Sequence, residues 1–427
     1  MPQLKKLSNG LNLLTVPMTG AKTTAILVMI ATGSKYENKK NSGLSHFLEH
    51  MFFKGTDKRP DTLTITSVLD RVGGEYNAFT SKEYTGYWIK VAKQETKLAL
   101  DVLSDMLLHS KFDNEEINRE KGVIIEEVNM YLDNPMRRIE DVFEQCLYGN
   151  TPAGWDTIGT KENINSFKRE DFVNYFKNQY KTSNSFVCIA GDIPTGANKL
   201  INDFFSTWST GQPKTKLPVK EKQSTPAIKI EYKKTDQAHL SLGVRTEAYG
   251  NSDEFIHKII ATALGGSMSA RLFINLRERN GLCYYVRTGA ETYSDSGYLA
   301  TQAGVPVDKI EKAITIIIEE YKRLTTELMP EEEIKKIKQF ITGRILLSLE
   351  GPDDIANWYG QQLVVRAQQP GGNKKSLLTP TEFLAIVKKI SAEDIRRVAK
   401  KIFNPKGLNL AVIGPYKNEA QFRKLLK

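Results

Sequence analysis

The 427-residue sequence predicts an α+β protein built from two homologous halves, each a sheet with a layer of helices. Three observations carry this. Segments of the first half recur in the second in the same order. Within each half, strand-like runs and helix-like runs are segregated instead of strictly alternating. A stretch rich in Lys, Pro, Ser and Thr and without apolar period, residues 209–226, lies between them. The division is therefore a first domain at 1–208, a linker at 209–226 and a second domain at 227–427.

The repeat is the strongest of the three, because self-similarity at a fixed offset constrains the whole fold. Residues 170–191, "EDFVNYFKNQYKTSNSFVCIAG", align without a gap on 393–414, "EDIRRVAKKIFNPKGLNLAVIG". Residues 115–135 align on 332–352, and Gly86-Tyr87 answers Gly297-Tyr298. The offset drifts from 211 through 217 to 223, as loop insertions would make it.

Each half then reads alike. Strands come first: "GLNLLTVP" and "TTAILVMIAT", answered by "AIKIEYKK" and "AHLSLGVRT". A helix follows, then a strand pair ("YNAFTSKEYTGYWIKV"; "CYYVRTGAETYSDSGYLATQAG"). Long amphipathic helices come next, and a last strand closes each half ("SFVCIAG"; "LNLAVIG").

Composition narrows the class. Apolar residues make up 40% and charged residues 26%, a globular balance. No apolar run is long enough to span a membrane, and the amino terminus does not read as a signal peptide. Three scattered cysteines build neither a disulfide framework nor a cysteine zinc cluster, which fits a reducing, cytoplasmic compartment. The net charge is +10, yet lysines interleave with glutamates and no nucleic-acid-binding motif accompanies them, so no nucleic-acid partner is expected.

The chemistry concentrates in "HFLEHMFFKGT". Of five histidines, His46 and His50 stand four apart, so a helix puts both on one face, where two imidazoles can reach one zinc ion. Glu49 lies at the edge of that face, placed to move protons in a metal-assisted hydrolysis. Without that glutamate the pair would read as a chance spacing on a core helix. A catalytic zinc needs a third protein ligand. Glu120 and Glu127, seven apart, share a face of the helix "REKGVIIEEVNMYLDNP", and Glu126 points about 100° away as a second choice. The copies diverge here. His46, Glu49 and His50 fall on Ile256, Ile259 and Ile260, and Glu127 falls on Arg344. The polar cluster exists once, which leaves the second half to hold substrate.

"HFLEHMFFKGT", "GGEYNAFTSKEYTGYWIKV", "REKGVIIEEVNMYLDNP" and "SARLFINLRERNGLCYYV" together resemble the pitrilysin/insulinase family of inverzincin zinc metallopeptidases. The likeness spans essentially the whole chain, and the length matches the short branch that includes the mitochondrial processing peptidase. The resemblance implies one zinc per chain held by His46, His50 and Glu127, with Glu49 as general base. It implies that Glu120 supports the site from behind the ligands. It makes Arg277 and Tyr284 the pair that contacts substrate and the transition-state oxyanion. Asn77, Ala78, Phe79 and Thr80 become the edge strand on which an extended peptide docks. The expected activity is hydrolysis of unfolded or presequence-like peptides; the alternative is a non-catalytic structural or peptide-binding relative. Because the chain carries both the metal and the Arg/Tyr motifs, a homodimer is expected, with pairing to an inactive homologous partner as the second arrangement. Manganese or cobalt would also suit such a ligand set.

Overall fold

The computed structural model of the chain describes residues 2–369 and 377–427. Among them, two sheets form. In the first, β1 (Gln3–Lys6), β2 (Asn12–Pro17), β3 (Thr23–Ile30), β4 (Glu75–Thr80), β5 (Thr85–Ala92) and β6 (Ser185–Gly191) lie in the order β1-β2-β6-β3-β5-β4. In the second, β7 (Ala227–Tyr232), β8 (Gln237–Thr246), β9 (Tyr285–Thr292), β10 (Gly297–Pro306) and β11 (Asn409–Gly414) lie in the order β7-β11-β8-β10-β9. Without β1 the two orders are the same. β2 and β6 pair parallel, as do β7 and β11, and the other pairs are antiparallel. The duplication read from the sequence is thus a duplication of topology. β1, four exposed residues, was not anticipated.

By contact the chain divides into two compact units. The first comprises Met1–Asn129, Asp156–Leu217 and Leu346–Leu377; the second comprises Met130–Trp155, Pro218–Ile345 and Leu378–Lys427. The division falls inside the 209–226 linker, but two segments depart from the contiguous halves 1–208 and 227–427. One is the helix α5 (Pro135–Tyr148; α1 to α4 are placed below), which packs on β11, β7 and β8 of the second sheet. The other is the helix Pro352–Ala367, which packs on β3 and β6 of the first. Each helix covers the sheet of the other half of the sequence.

The reason lies in the strands. β3 reads TTAILVMI with no polar alternation, so it must be buried on both faces. Alternate side chains serve opposite faces. Ile26, Val28 and Ile30 join Val187 and Ile189 in the main core of the first unit. Leu27, Met29 and Cys188 point the other way and meet Gly360 of the exchanged helix. In the second unit, Tyr298, Ala300, Ala411 and Ile413 pack on Ile139, Val142 and Phe143 of α5. The neighbouring residue Thr301 faces the helix Ile310–Thr326, where its hydroxyl lies 2.8 Å from that of Tyr321.

Candidate metal centre

The site is carried by α1 (Leu44–Met51) and α4 (Asn114–Asp133), with α2 (Thr62–Asp70) and α3 (Thr96–His109) between them in the chain. Burial of Leu44, Phe47, Leu48 and Met51 fixes the rotation of α1 about its axis, so His46, Glu49 and His50 face the other way. On α4, Ile117, Glu120, Ile124 and Val128 are buried, and Glu127 is partly exposed beside them.

The start of α1 is built in an unusual way. Gly43 has φ +97°, and a Cβ there would lie 2.7 Å from the carbonyl oxygen of Ile158 and 2.8 Å from the Cα of Gly159. Only glycine fits. It cannot cap the helix with a side chain, so Glu37 does. Its carboxylate accepts the N–H of Gly43 at 2.8 Å and that of Ser45 at 2.6 Å. Glu37 is buried, and burial pushes its carboxyl up to about 7 despite those bonds.

The structure brings His46, His50 and Glu127 together. Glu127 Oε2 lies 3.6 Å from His46 Nε2 and 3.6 Å from His50 Nε2. The three ligand atoms lie within 4.8 Å of one another, and this is the only such His/Cys/Asp/Glu group among the described residues. Ligands about 2.0–2.2 Å from a tetrahedral zinc sit about 3.4 Å apart, so the donor set fits the ion in type and spacing. Glu126 does not join it; it is exposed and accepts from Asn129 Nδ2 at 3.3 Å.

The electrostatics suit ligation. Burial, helped by the neighbouring His50, pulls His46 down to about 3, so its imidazole is neutral at neutral pH. That is the form that binds metal. His50 Nδ1 lies 2.8 Å from Glu120 Oε1. With the proton assigned to Nδ1, the Nε2 lone pair faces Glu127. Lys54 Nζ meets the other Glu120 oxygen at 2.6 Å. Burial alone would raise the Glu120 carboxyl, but His50 and Lys54 outweigh it and hold it below the usual range. Glu120 thus stands behind His50, on the ring nitrogen that does not face Glu127. Burial raises Glu127, with His50 opposing and Glu120 adding to the rise. Burial likewise raises Glu49, against the hydroxyl of Thr80, which donates to Glu49 Oε2 at 2.5 Å.

Asn77, Ala78, Phe79 and Thr80 lie on β4, which ends the first sheet with one side unpaired and packs against α1. Phe79 lies over Gly86, where a Cβ would fall 2.2 Å from its ring. The Ala78 N–H donates to Asn77 Oδ1 at 2.8 Å.

The second unit brings Arg277 and Tyr284 together. Arg277 stands on a π-helical turn, Phe273–Glu278, a wider turn that often marks functional positions. Its guanidinium carbon lies 5.0 Å from the Phe273 ring centre and 5.3 Å from that of Tyr284. Arg277 Nη1 also donates to the Tyr284 carbonyl at 3.3 Å, and Tyr284 is 76% exposed.

Sequence reasoning missed Glu37 and Lys54. Lys54 had a signal, its position one helical turn after His50. Glu37 had none, because its partners are backbone N–H groups across a loop.

Comparison with known proteins follows the same lines. The family model "Insulinase (Peptidase family M16)" matches residues 14–161, and "Peptidase M16 inactive domain" matches 166–341. A protein of Bacillus subtilis named an uncharacterized zinc protease is 33% identical over 411 residues, covering 96% of this chain and 97% of its own. One from Rickettsia felis with the same description is 32% identical over 419 residues, covering 96% and 97%. A solved protease from Helicobacter pylori shares the fold at TM-score 0.89 and 22% identity, over 97% of this chain and 99% of its own. So does a peptidase M16 inactive domain from Pseudomonas fluorescens, at TM-score 0.87 and 16% identity, over 97% and 98%.

Proposed function

The chain belongs to the insulinase family (peptidase family M16), and from that premise we propose that it is a zinc metalloendopeptidase acting on unfolded or presequence-like peptides. The observation that carries this reading is the convergence of His46, His50 and Glu127 on one point, with Glu49 beside them.

His46, His50 and Glu127 would hold one zinc ion. When bound, zinc supplies Lewis acidity that polarises the scissile carbonyl and acidifies the attacking water. Glu49 accepts that water's proton and returns it to the leaving amine. Burial raises its carboxyl, which favours taking up that proton. Glu120 fixes the His50 tautomer and ring orientation. Asn77, Ala78, Phe79 and Thr80 offer an open strand edge for an extended peptide. Arg277 and Tyr284 supply donors for the substrate and the developing oxyanion.

No helix among the described residues is long and apolar enough to cross a membrane. Cys146, Cys188 and Cys283 are free thiols, in keeping with a cytoplasmic enzyme. A homodimer suits a chain that carries both motifs.

The test is cleavage of an unstructured basic peptide, followed by mass spectrometry. The protein as purified, after chelation, and after zinc is returned would run together. Activity that is lost on chelation and regained with zinc supports the peptidase. A fully metal-loaded protein that cuts no peptide in a varied set favours the peptide-binding relative instead.

A further inference from the structure

The Glu49 carboxylate has one hydrogen-bond partner among the described residues, the Thr80 hydroxyl. Thr80 is the last residue of β4, in register with Thr85 of β5. The strand's alternation puts Tyr76, Ala78 and Thr80 on one face. Tyr76 and Ala78 pack against the core of the first unit, and β4 lies against α1. Thr80 therefore points its side chain at the metal helix, and its Oγ1 donates to Glu49 Oε2 at 2.5 Å.

We propose that Thr80 is a positioning residue for the base: its hydroxyl, not its backbone, holds the Glu49 carboxylate in the working orientation. The proposal rests on the reading of Glu49 as general base. A glutamate side chain is otherwise free to change rotamer, and fixing it costs entropy. Threonine is a stiff donor, because its branched Cβ restricts χ1. With Oε2 engaged by the donor, Oε1 is the oxygen left to accept a proton. The strand expected to dock the peptide thus also sets the base through the same residue. Docking uses main-chain groups, so the side-chain and backbone roles of Thr80 separate by substitution.

Thr80→Val removes the donor and keeps the shape. Full-length zinc-loaded protein would be compared as wild type, Thr80→Val, Thr80→Ser, Glu49→Gln and the Glu49→Gln/Thr80→Val double variant. Zinc content and melting temperature would be checked for each. The expected result for Thr80→Val is a kcat on the order of tenfold lower, the worth of one hydrogen bond to a charged group, with KM unchanged. Thr80→Ser should restore most of it. Glu49→Gln and the double variant give the background with the base removed, above which the Thr80→Val loss is read. Should Thr80→Val not fold, Thr80→Ala gives the same test. Wild-type kcat in the Val variant, or a raised KM with kcat intact, overturns the assignment while leaving the peptidase standing. A wild type that cuts nothing overturns the peptidase reading itself, and this assignment with it.

Discussion

Removing Glu120 tests how far the metal affinity depends on a residue that does not touch the metal. The carboxylate is 3% exposed, with one oxygen 2.8 Å from His50 Nδ1 and the other 2.6 Å from Lys54 Nζ. Glu120→Ala leaves both donors without their acceptor in a buried place. A hydrogen bond to a charged group is worth about 1.5–3 kcal/mol. Through His50, that loss should appear as a zinc dissociation constant about 10–100-fold higher. Glu120→Gln keeps an acceptor for His50 and loses the charge facing Lys54, so it should fall between wild type and alanine. The assay is competition for zinc against a chromophoric chelator, with melting temperature measured on the zinc-loaded protein. Equal zinc affinity in wild type and Glu120→Ala would falsify the role given to the His50–Glu120 bond.

Three further outcomes follow from the same geometry. Glu37, raised from 4.5 to about 7 by burial, binds protons more tightly in the folded chain than in the unfolded one. The stability it contributes is therefore full below about pH 4.5 and lost as pH rises towards 7, a loss of about 3 kcal/mol. Denaturant melts from pH 4.5 to 7.5 should show that fall in wild type and a flatter profile in Glu37→Gln. Gly43→Ala must place a Cβ against backbone atoms at 2.7 and 2.8 Å while holding φ +97°, so it should cost about 2–4 kcal/mol and lower zinc content. A melting temperature within 1–2 °C of wild type, roughly the shift expected from ~0.5 kcal/mol, would rule that out. Tyr284→Phe should lower kcat on the order of 100-fold with zinc content unchanged, as loss of an oxyanion donor does. An unchanged kcat would leave Tyr284 as a stacking partner of Arg277 only.

Much of this was legible in the sequence because the signals are local. His46 and His50 declare themselves by a spacing of four on a helix whose other residues are plainly core. Helical phase put Glu127 first and left Glu126 as a second choice, and the family resemblance selected Glu127; in the structure Glu126 faces solvent beside Asn129. The recurrence of elements was readable through paired segments such as 170–191 and 393–414, whereas the order of strands within each sheet was not. What stayed hidden depends on contacts distant in sequence. The helices 135–148 and 352–367 each have a face to bury, but nothing in them says which sheet will bury it. Glu37 serves backbone donors, which leave no trace in side-chain pattern. Thr80 was legible only as part of the docking strand; its bond to Glu49 depends on α1 lying against β4.

The most direct test of the central claim is one variant read two ways. Glu49→Gln would be prepared in full length, its bound zinc counted by inductively coupled plasma mass spectrometry and its cleavage of the basic peptide followed beside wild type. About one zinc per chain is expected in both proteins, held by His46, His50 and Glu127, with cleavage by wild type alone. A variant that still cuts at the wild-type rate, or a wild type that binds no zinc, would contradict it.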